Sequence, residues 1–179
     1  GGMLILLFFL PFIAIATLID TGRPIFYLQE RLGQGAREYK IIKFRTMRLD
    51  AESDGQPVLA TEDDDRATAV GRMLRRTHLD ELPQFINVVR GDMSLVGPRA
   101  ERPQLVEHFT RRIPFYRARL LVKPGITGWA QVNFGYAASL EETQMKLEYD
   151  LYYIKRRNLL LDLVILLRTP ATVLGMKGQ

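Results

Sequence analysis

The stretch from Pro24 to Met47, "PIFYLQERLGQGAREYKIIKFRTM", decides the fold class. Two β-rich runs, "PIFYLQERLG" and "EYKIIKFRTM", flank "GQGAR", a glycine-containing link of the kind that closes a hairpin. In the second run Lys43 and Arg45 lie two apart, and strand alternation places both on one face. Most of the remaining chain carries helical spacing. The expected class is therefore α+β: mostly helical, with one small β-hairpin or sheet.

Upstream of the hairpin, "DTGRP" (Asp20–Pro24) supplies turn residues. Before it runs "MLILLFFLPFIAIATLI", Met3 to Ile19, apolar and uncharged. A membrane-spanning helix needs roughly 20 apolar residues, with a floor of about 17. This run meets only the floor and carries Pro11 at its middle, where the missing N–H kinks a helix. The basic n-region and A-x-A site of a signal peptide are missing. A buried core helix is the competing reading. The favoured expectation is a re-entrant membrane helix over residues 1–22, entering one leaflet and turning back at Pro11, with residues 23–179 outside the bilayer.

Downstream, residues 48–66 read as a polar, acidic loop. "RATAVGRMLRRT" has helical periodicity with basic residues at its end, where the helix dipole favours them. "ERPQLVEHFTRRIPFYRARLL" reads as helix broken near Pro114, and "VKPGITGWAQV" as a structured loop. "SLEETQMKLEYDLYYIKRR" opens on the capping box Ser139-x-x-Glu142. "NLLLDLVILLRTPATVLGM" is apolar and interrupted at Pro170, which suits a core helix or an amphipathic one lying on the bilayer.

Composition narrows the chemistry. The chain of 179 residues is enough for one domain with a real core. Its 25 Lys+Arg against 20 Asp+Glu give a net charge of +5, which suits an anionic partner without choosing one. There is no cysteine, so disulfides, Cys-zinc sites and thiol nucleophiles are excluded. Two histidines are too few for a His-rich metal site. Any metal must be held by oxygen, which points to Mg²⁺, Mn²⁺ or Ca²⁺.

The chemistry concentrates in "RTHLDELPQFINVVRGDMSLVGPR", Arg76 to Arg99. The structural reading is a capped helix, a turn and a loop, with Asp80 as N-cap accepting from the Leu82 N–H and Pro83 in the first turn. The functional reading uses the adjacency of Asp80 and Glu81. At a helix start both carboxylates can reach one metal or one reacting phosphate. An Asp carboxylate can attack phosphorus to form an acyl phosphate. Arg99 offers a guanidinium fork for phosphate oxygens, and Lys43, Arg45, Arg75 and Arg76 add positive charge. On residue types alone, cap and catalyst remain equal alternatives.

The blocks "FYLQERLGQGAREYKIIKFRTM", "LRRTHLDELPQFINVVRGDMSLVGPR", "KPGITGWAQVN" and "YDLYYIK" stand in the order seen in the bacterial sugar transferase family. The chain resembles that family, the monotopic phosphoglycosyl transferases, over nearly its whole length. The resemblance implies transfer of sugar-1-phosphate from a UDP-sugar to polyprenyl (undecaprenyl) phosphate, with release of UMP, at the start of exopolysaccharide, O-antigen or glycoconjugate assembly. It implies a cytosolic-face catalytic domain at the bacterial inner membrane, in contact with membrane lipids, with Mg²⁺ as cofactor.

The family's catalytic pair falls on Asp80 and Glu81. Asp80 is implied as the nucleophile that forms a covalent phospho-sugar intermediate. Glu81 is implied as a metal or proton handler, the two together forming the metal site. Lys43, Arg75 and Arg99 fall on basic positions expected to bind phosphate, and Gln131 and Asp150 on blocks near the substrate. Pro11 matches the proline of the family's re-entrant helix, although Leu10 stands where many members have serine. With Gly1-Gly2 and no basic segment ahead of that helix, the chain is expected to be the catalytic part of a large member. "QVNFGYAAS" departs from the commoner "QVNGR", so the sugar stays open, as does a homodimer. The alternatives are a membrane-associated scaffold without turnover, which leaves Asp80-Glu81 as coincidence, and a nucleic-acid binder. The dispersed basic residues and the apolar N-terminus argue against the latter.

Overall fold

The computed structural model describes residues 2–48, 51, 65–134 and 139–174. It is α+β and mostly helical. The acidic stretch at 48–66 lies largely outside the described residues, as does part of "QVNFGYAAS". The chain divides into two compact units, one of Gly1–Leu28 with Ile42–Ile86, the other of Gln29–Ile41 with Asn87–Gly178. The hairpin predicted from sequence belongs to both. Strands β1 (Phe26–Leu32) and β2 (Glu38–Phe44) pair, the Ile25 carbonyl accepting from the Arg45 N–H at their base and the Arg37 carbonyl from the Gly33 N–H at the tip. The tip takes two left-handed residues in succession, Gly35 at φ 68, where glycine carries no side-chain penalty, and Ala36 at φ 63.

The first unit holds helix α1 (Gly2–Thr21), the strand bases, helix α2 (Ala69–Arg76) and the start of helix α3 (Gln84–Arg90). Its core is Ile13, Phe44 and Leu74, with Leu10, Ile25, Val70, Leu79 and Leu82 packed against them. Helix α1 runs through Pro11. Among its described side chains, one stripe, Leu6, Ile13 and Thr17, is buried, while Leu7, Phe8, Phe12, Ile15 and Ile19 are exposed. Among the described residues, no helix is long and apolar enough to cross a membrane. Helix α2 starts where Thr68 accepts from the Gly71 N–H at 3.0 Å. Gly71 lies against the Thr46 carbonyl, and a Cβ there would stand 1.9 Å from that oxygen. The ends of the acidic stretch are drawn together by main-chain bonds from Arg48 to Arg66 and from Thr68 to Thr46.

The second unit contains strand β3 (Ser94–Val96), helix α4 (Pro103–Thr110), strand β4 (Gly125–Thr127), and helices α5 (Trp129–Asn133), α6 (Leu140–Arg156) and α7 (Leu159–Leu174). β3 and β4 are parallel, with Ser94 opposite Gly125 and Val96 opposite Thr127. α4 and a 3₁₀ segment, Tyr116–Leu121, make the crossover that a parallel pair requires. The break expected near Pro114 is thus present. Three readings are corrected. "GDMSLVGPR" and "VKPGITGWAQV" are not loops throughout but hold β3, β4 and α5, strands too short for alternation to reveal. α7 does not stop at Pro170 but continues to Leu174, and the Thr169 hydroxyl donates to the Ile165 carbonyl in the turn before the proline. α6 begins on the expected capping box, Ser139 and Glu142 exchanging bonds of 3.1 Å each way. The core forms around Val106, Ile113, Tyr116 and Leu147 on one side and Val96, Tyr153 and Ile165 on the other. α7 leaves Leu159, Leu160, Leu163 and Leu167 exposed, with Leu167 at 79%.

Candidate active site

Asp80 and Glu81 stand in a 3₁₀ turn, Leu79–Glu81, wedged between α2 and α3. The turn exists because α2 ends at Thr77 and His78 adopts φ 54, a left-handed conformation uncommon outside glycine. Leu79 and Leu82, three apart, anchor it in the core of the first unit. Asp80 is therefore not the N-cap that its residue type suggests. The Leu82 N–H goes to the Leu79 carbonyl at 3.3 Å, and His78 takes the capping position. Pro83, expected in the first turn, stands immediately before α3, its carbonyl accepting from the Ile86 N–H at 3.0 Å.

Both acids are buried, Asp80 at 7% and Glu81 at 8% exposure. Buried carboxylates are costly unless paired. Lys43, from the end of β2, supplies the pairing and donates to Glu81 Oε1 at 2.6 Å. Arg75 lies in the last turn of α2, five residues before Asp80. The first unit thus holds four of the predicted residues, Lys43, Arg75, Asp80 and Glu81, and joins two of them directly. Adjacent buried carboxylates with an ammonium on one can present a nucleophilic oxygen while the partner's charge is held in place.

The other three predicted residues lie in the second unit. Gln131, on α5, donates to the Ile126 carbonyl at 3.0 Å and braces its own loop. Asp150, at 2% exposure, occupies a buried stripe of α6 with Thr143, Leu147 and Tyr153. It accepts from Arg119 Nη2 at 2.9 Å. The same Arg119 atom donates to the Arg99 carbonyl at 3.0 Å. Glu101 gathers Arg31 (3.7 Å), Arg119 (3.6 Å) and Lys146 (4.0 Å). Burial pushes the Glu101 carboxyl up, but Lys146, Arg119, Arg31 and Arg99 together hold it below its usual value. Burial works against the Arg119 charge too, yet Asp150, Tyr116 and Glu101 raise its pKa. The Tyr116 hydroxyl is pushed up to about 12, mainly by burial.

His78, Glu101, Arg119 and Lys146 were not singled out from sequence. The readable signal was Asp150 itself, since an acid in the apolar stripe of α6 demands a buried cation. Among the described residues, no cluster of three or more His, Asp or Glu side chains forms a metal cage.

A family model described as bacterial sugar transferase matches residues 1–176. The chain is 47% identical over 161 residues to the UDP-N-acetylgalactosamine-undecaprenyl-phosphate N-acetylgalactosaminephosphotransferase of Aeromonas hydrophila, covering 90% of this chain and 38% of that protein. It is 44% identical over 167 residues to the UDP-glucose:undecaprenyl-phosphate glucose-1-phosphate transferase of Xanthomonas campestris pv. campestris, covering 92% of this chain and 34% of that protein. For the protein of the same name in Escherichia coli the identity is 43% over 159 residues, covering 88% and 34%. The chain spans little more than a third of the length of these relatives.

Proposed function

The chain belongs to the bacterial sugar transferase family, and from that premise we propose that it is a phosphoglycosyl transferase, moving sugar-1-phosphate from a UDP-sugar to undecaprenyl phosphate. The relatives' names supply the two substrates and differ in the sugar. The observation that carries the reading is the buried Asp80-Glu81 turn, with Lys43 on Glu81 at 2.6 Å.

In the first step an Asp80 carboxylate oxygen attacks the phosphorus that bears the sugar. The bond from that phosphorus to the UMP oxygen breaks, and UMP leaves with the electron pair. In the second step an oxygen of the lipid phosphate attacks the same phosphorus. The aspartyl bond breaks, the Asp80 carboxylate is regenerated, and the product is the polyprenyl-diphosphate sugar. Lys43 holds the Glu81 carboxylate beside the nucleophile, and Arg75 adds positive charge in the same unit. Arg99, Gln131 and Asp150 enter as substrate-binding positions on the resemblance alone.

Two carboxylates fit Mg²⁺, which takes one or two protein carboxylates and completes its shell with water and substrate phosphate; Asp80 and Glu81 would hold it. When bound, it neutralises phosphate charge that otherwise repels the nucleophile. The test is incubation with radiolabelled UDP-glucose or UDP-N-acetylgalactosamine and polyprenyl phosphate, with Mg²⁺ or with EDTA. Labelled lipid and UMP are expected from one donor with Mg²⁺ only. Undiminished turnover in EDTA would remove the metal from the scheme, and no label from either donor would defeat the donor assignment.

We further propose that α1 is re-entrant at Pro11 in the bacterial inner membrane, with the catalytic domain on the cytoplasmic face and α7 lying on the bilayer. Support comes from the large apolar side chains that α1 and α7 leave exposed, since apolar faces of this extent mark membrane or partner contact. The cysteine-free sequence gives a clean assay: single cysteines at Gly2 and Gly22 are both expected to label from the cytoplasm. Periplasmic labelling at Gly2 would establish a crossing helix instead.

A further inference from the structure

Helix α7 presents two unlike faces. On the inward face Ile165 is buried with Val96 and Tyr153, and Leu161 packs against them. The Asp162 carboxylate accepts from the Tyr153 hydroxyl at 2.9 Å, and the Thr127 and Thr169 hydroxyls share a bond of 2.8 Å. Asp162 is the one acid between Lys155 and Leu174, and its bond to Tyr153 commits it to the protein side. The other face carries Leu159, Leu160, Leu163 and Leu167, all exposed.

Cations stand at both ends of that leucine strip. Lys155, Arg156 and Arg157 come just before it and Arg168 follows Leu167, all four exposed. Among the described residues none of the four pairs with a carboxylate. Two aromatic rings connect the ends. Arg168 stands over the Trp129 ring at 5.3 Å, Trp129 stacks on Tyr152 at 5.9 Å, and Arg156 follows Tyr152 by one turn on the same face of α6. Lys155 and Arg156 also suit the dipole at the end of α6. Arg168 lies outside the last turn of α7, so no dipole accounts for it. Leucines, then aromatic rings, then lysine and arginine follow the order in which a bilayer passes from acyl chain through interface to headgroup.

We propose that this face binds the headgroups of anionic phospholipids, with Arg156, Arg157 and Arg168 meeting the phosphates and the leucine strip seated among the acyl chains. The inference rests on the reading of α7 as lying on the bilayer, and adds the class of lipid it lies on. A second copy of the chain fits the face poorly. With cations at both ends, a two-fold pairing of the strips sets cation against cation. An anionic lipid surface answers all four charges at once.

Trp129, the one tryptophan of the chain, serves as the reporter. The full chain is reconstituted in nanodiscs of equal phosphatidylcholine and phosphatidylglycerol, with bromine on the acyl chains of one lipid or the other. Bromine quenches a tryptophan only at close range, so unequal quenching reports which lipid stands beside Trp129, whatever α1 does. Brominated phosphatidylglycerol is expected to quench about threefold more strongly. The combined variant Lys155→Gln, Arg156→Gln, Arg157→Gln is expected to bring that ratio close to unity while circular dichroism stays that of wild type. Should the variant misfold, wild type in about 1 M salt, where screening acts beyond about 3 Å, must show the same loss. A ratio that survives both changes would overturn the role of charge. Excess unlabelled polyprenyl phosphate is expected to leave the ratio in place. If it displaces the phosphatidylglycerol, the cations serve the lipid substrate and the proposal fails. Equal quenching by both lipids in wild type defeats the anionic preference alone. No quenching by either lipid, the result if a second copy or another protein covers the face, removes α7 from the bilayer and the inference with it.

Discussion

Asp80→Asn is expected to reduce transfer by on the order of 10³-fold or more while leaving the protein folded, the loss typical of removing a nucleophile from a covalent mechanism. The amide matches the carboxylate in shape, and Leu79 and Leu82, which anchor the turn, are untouched. What disappears is the negative oxygen that attacks phosphorus. In activation free energy the loss is about 4 kcal/mol, at roughly 1.4 kcal/mol per tenfold. The decisive measurement uses the labelled UDP-sugar without lipid acceptor. Wild-type protein should hold the label covalently, and the variant should hold none. A variant with full turnover, or one that still takes up label, would exclude Asp80 as nucleophile. A variant that forms the adduct slowly but fails to pass it on would move Asp80 to the second half-reaction.

Gly125→Ala is expected to be among the most destabilising single changes in the second unit. An added Cβ would stand 2.1 Å from the Gly97 nitrogen, 2.4 Å from the Thr127 oxygen and 2.6 Å from the Val96 carbonyl carbon. All three are main-chain atoms with no rotamer to yield. Relief requires β3 and β4 to part, which gives up the Ser94 and Gly97 bonds across the pair. A cost of about 3 kcal/mol follows, at the upper end for overpacking, and a melting temperature lower by roughly 10 °C for a chain of this length. Thermal or denaturant unfolding in detergent checks it. Leu95→Ala is the control in the same strand, since Leu95 is 42% exposed and should cost clearly less than the glycine change. Equal melting of Gly125→Ala and wild type would contradict the close approach.

Reading from sequence worked where the governing interaction is local. The hairpin depends on a five-residue link, and α6 on a box four residues long, so both were recognisable in print. It failed where the partner is distant or the element is too short to show a period. β3 and β4 have three residues each, and their glycines and prolines suggest a loop. In fact Gly97 and Gly125 are small so that two backbones can touch. Asp80 read equally well as a cap because Asp ahead of Glu-Leu-Pro and an apolar run suits the start of a helix. The left-handed turn at His78 moved the helix start past it, and nothing local in the sequence announces that turn. Lys43 and Glu81 were each nominated as residue types, yet their pairing spans 38 positions and only the fold could reveal it. Asp150 was singled out with its role open. Its cation lies 31 residues back, in the 3₁₀ segment that follows the break near Pro114.

The hairpin has a consequence for synthesis. Its tip leaves the ribosome before the residues it must bind: Arg31 waits for the Ala100 carbonyl 69 positions on. The first unit, by contrast, has its last residue in hand at Ile86. Vectorial synthesis therefore allows the unit that carries Asp80 to assemble while the hairpin tip still has open edges, and unpaired strand edges are where nascent chains aggregate.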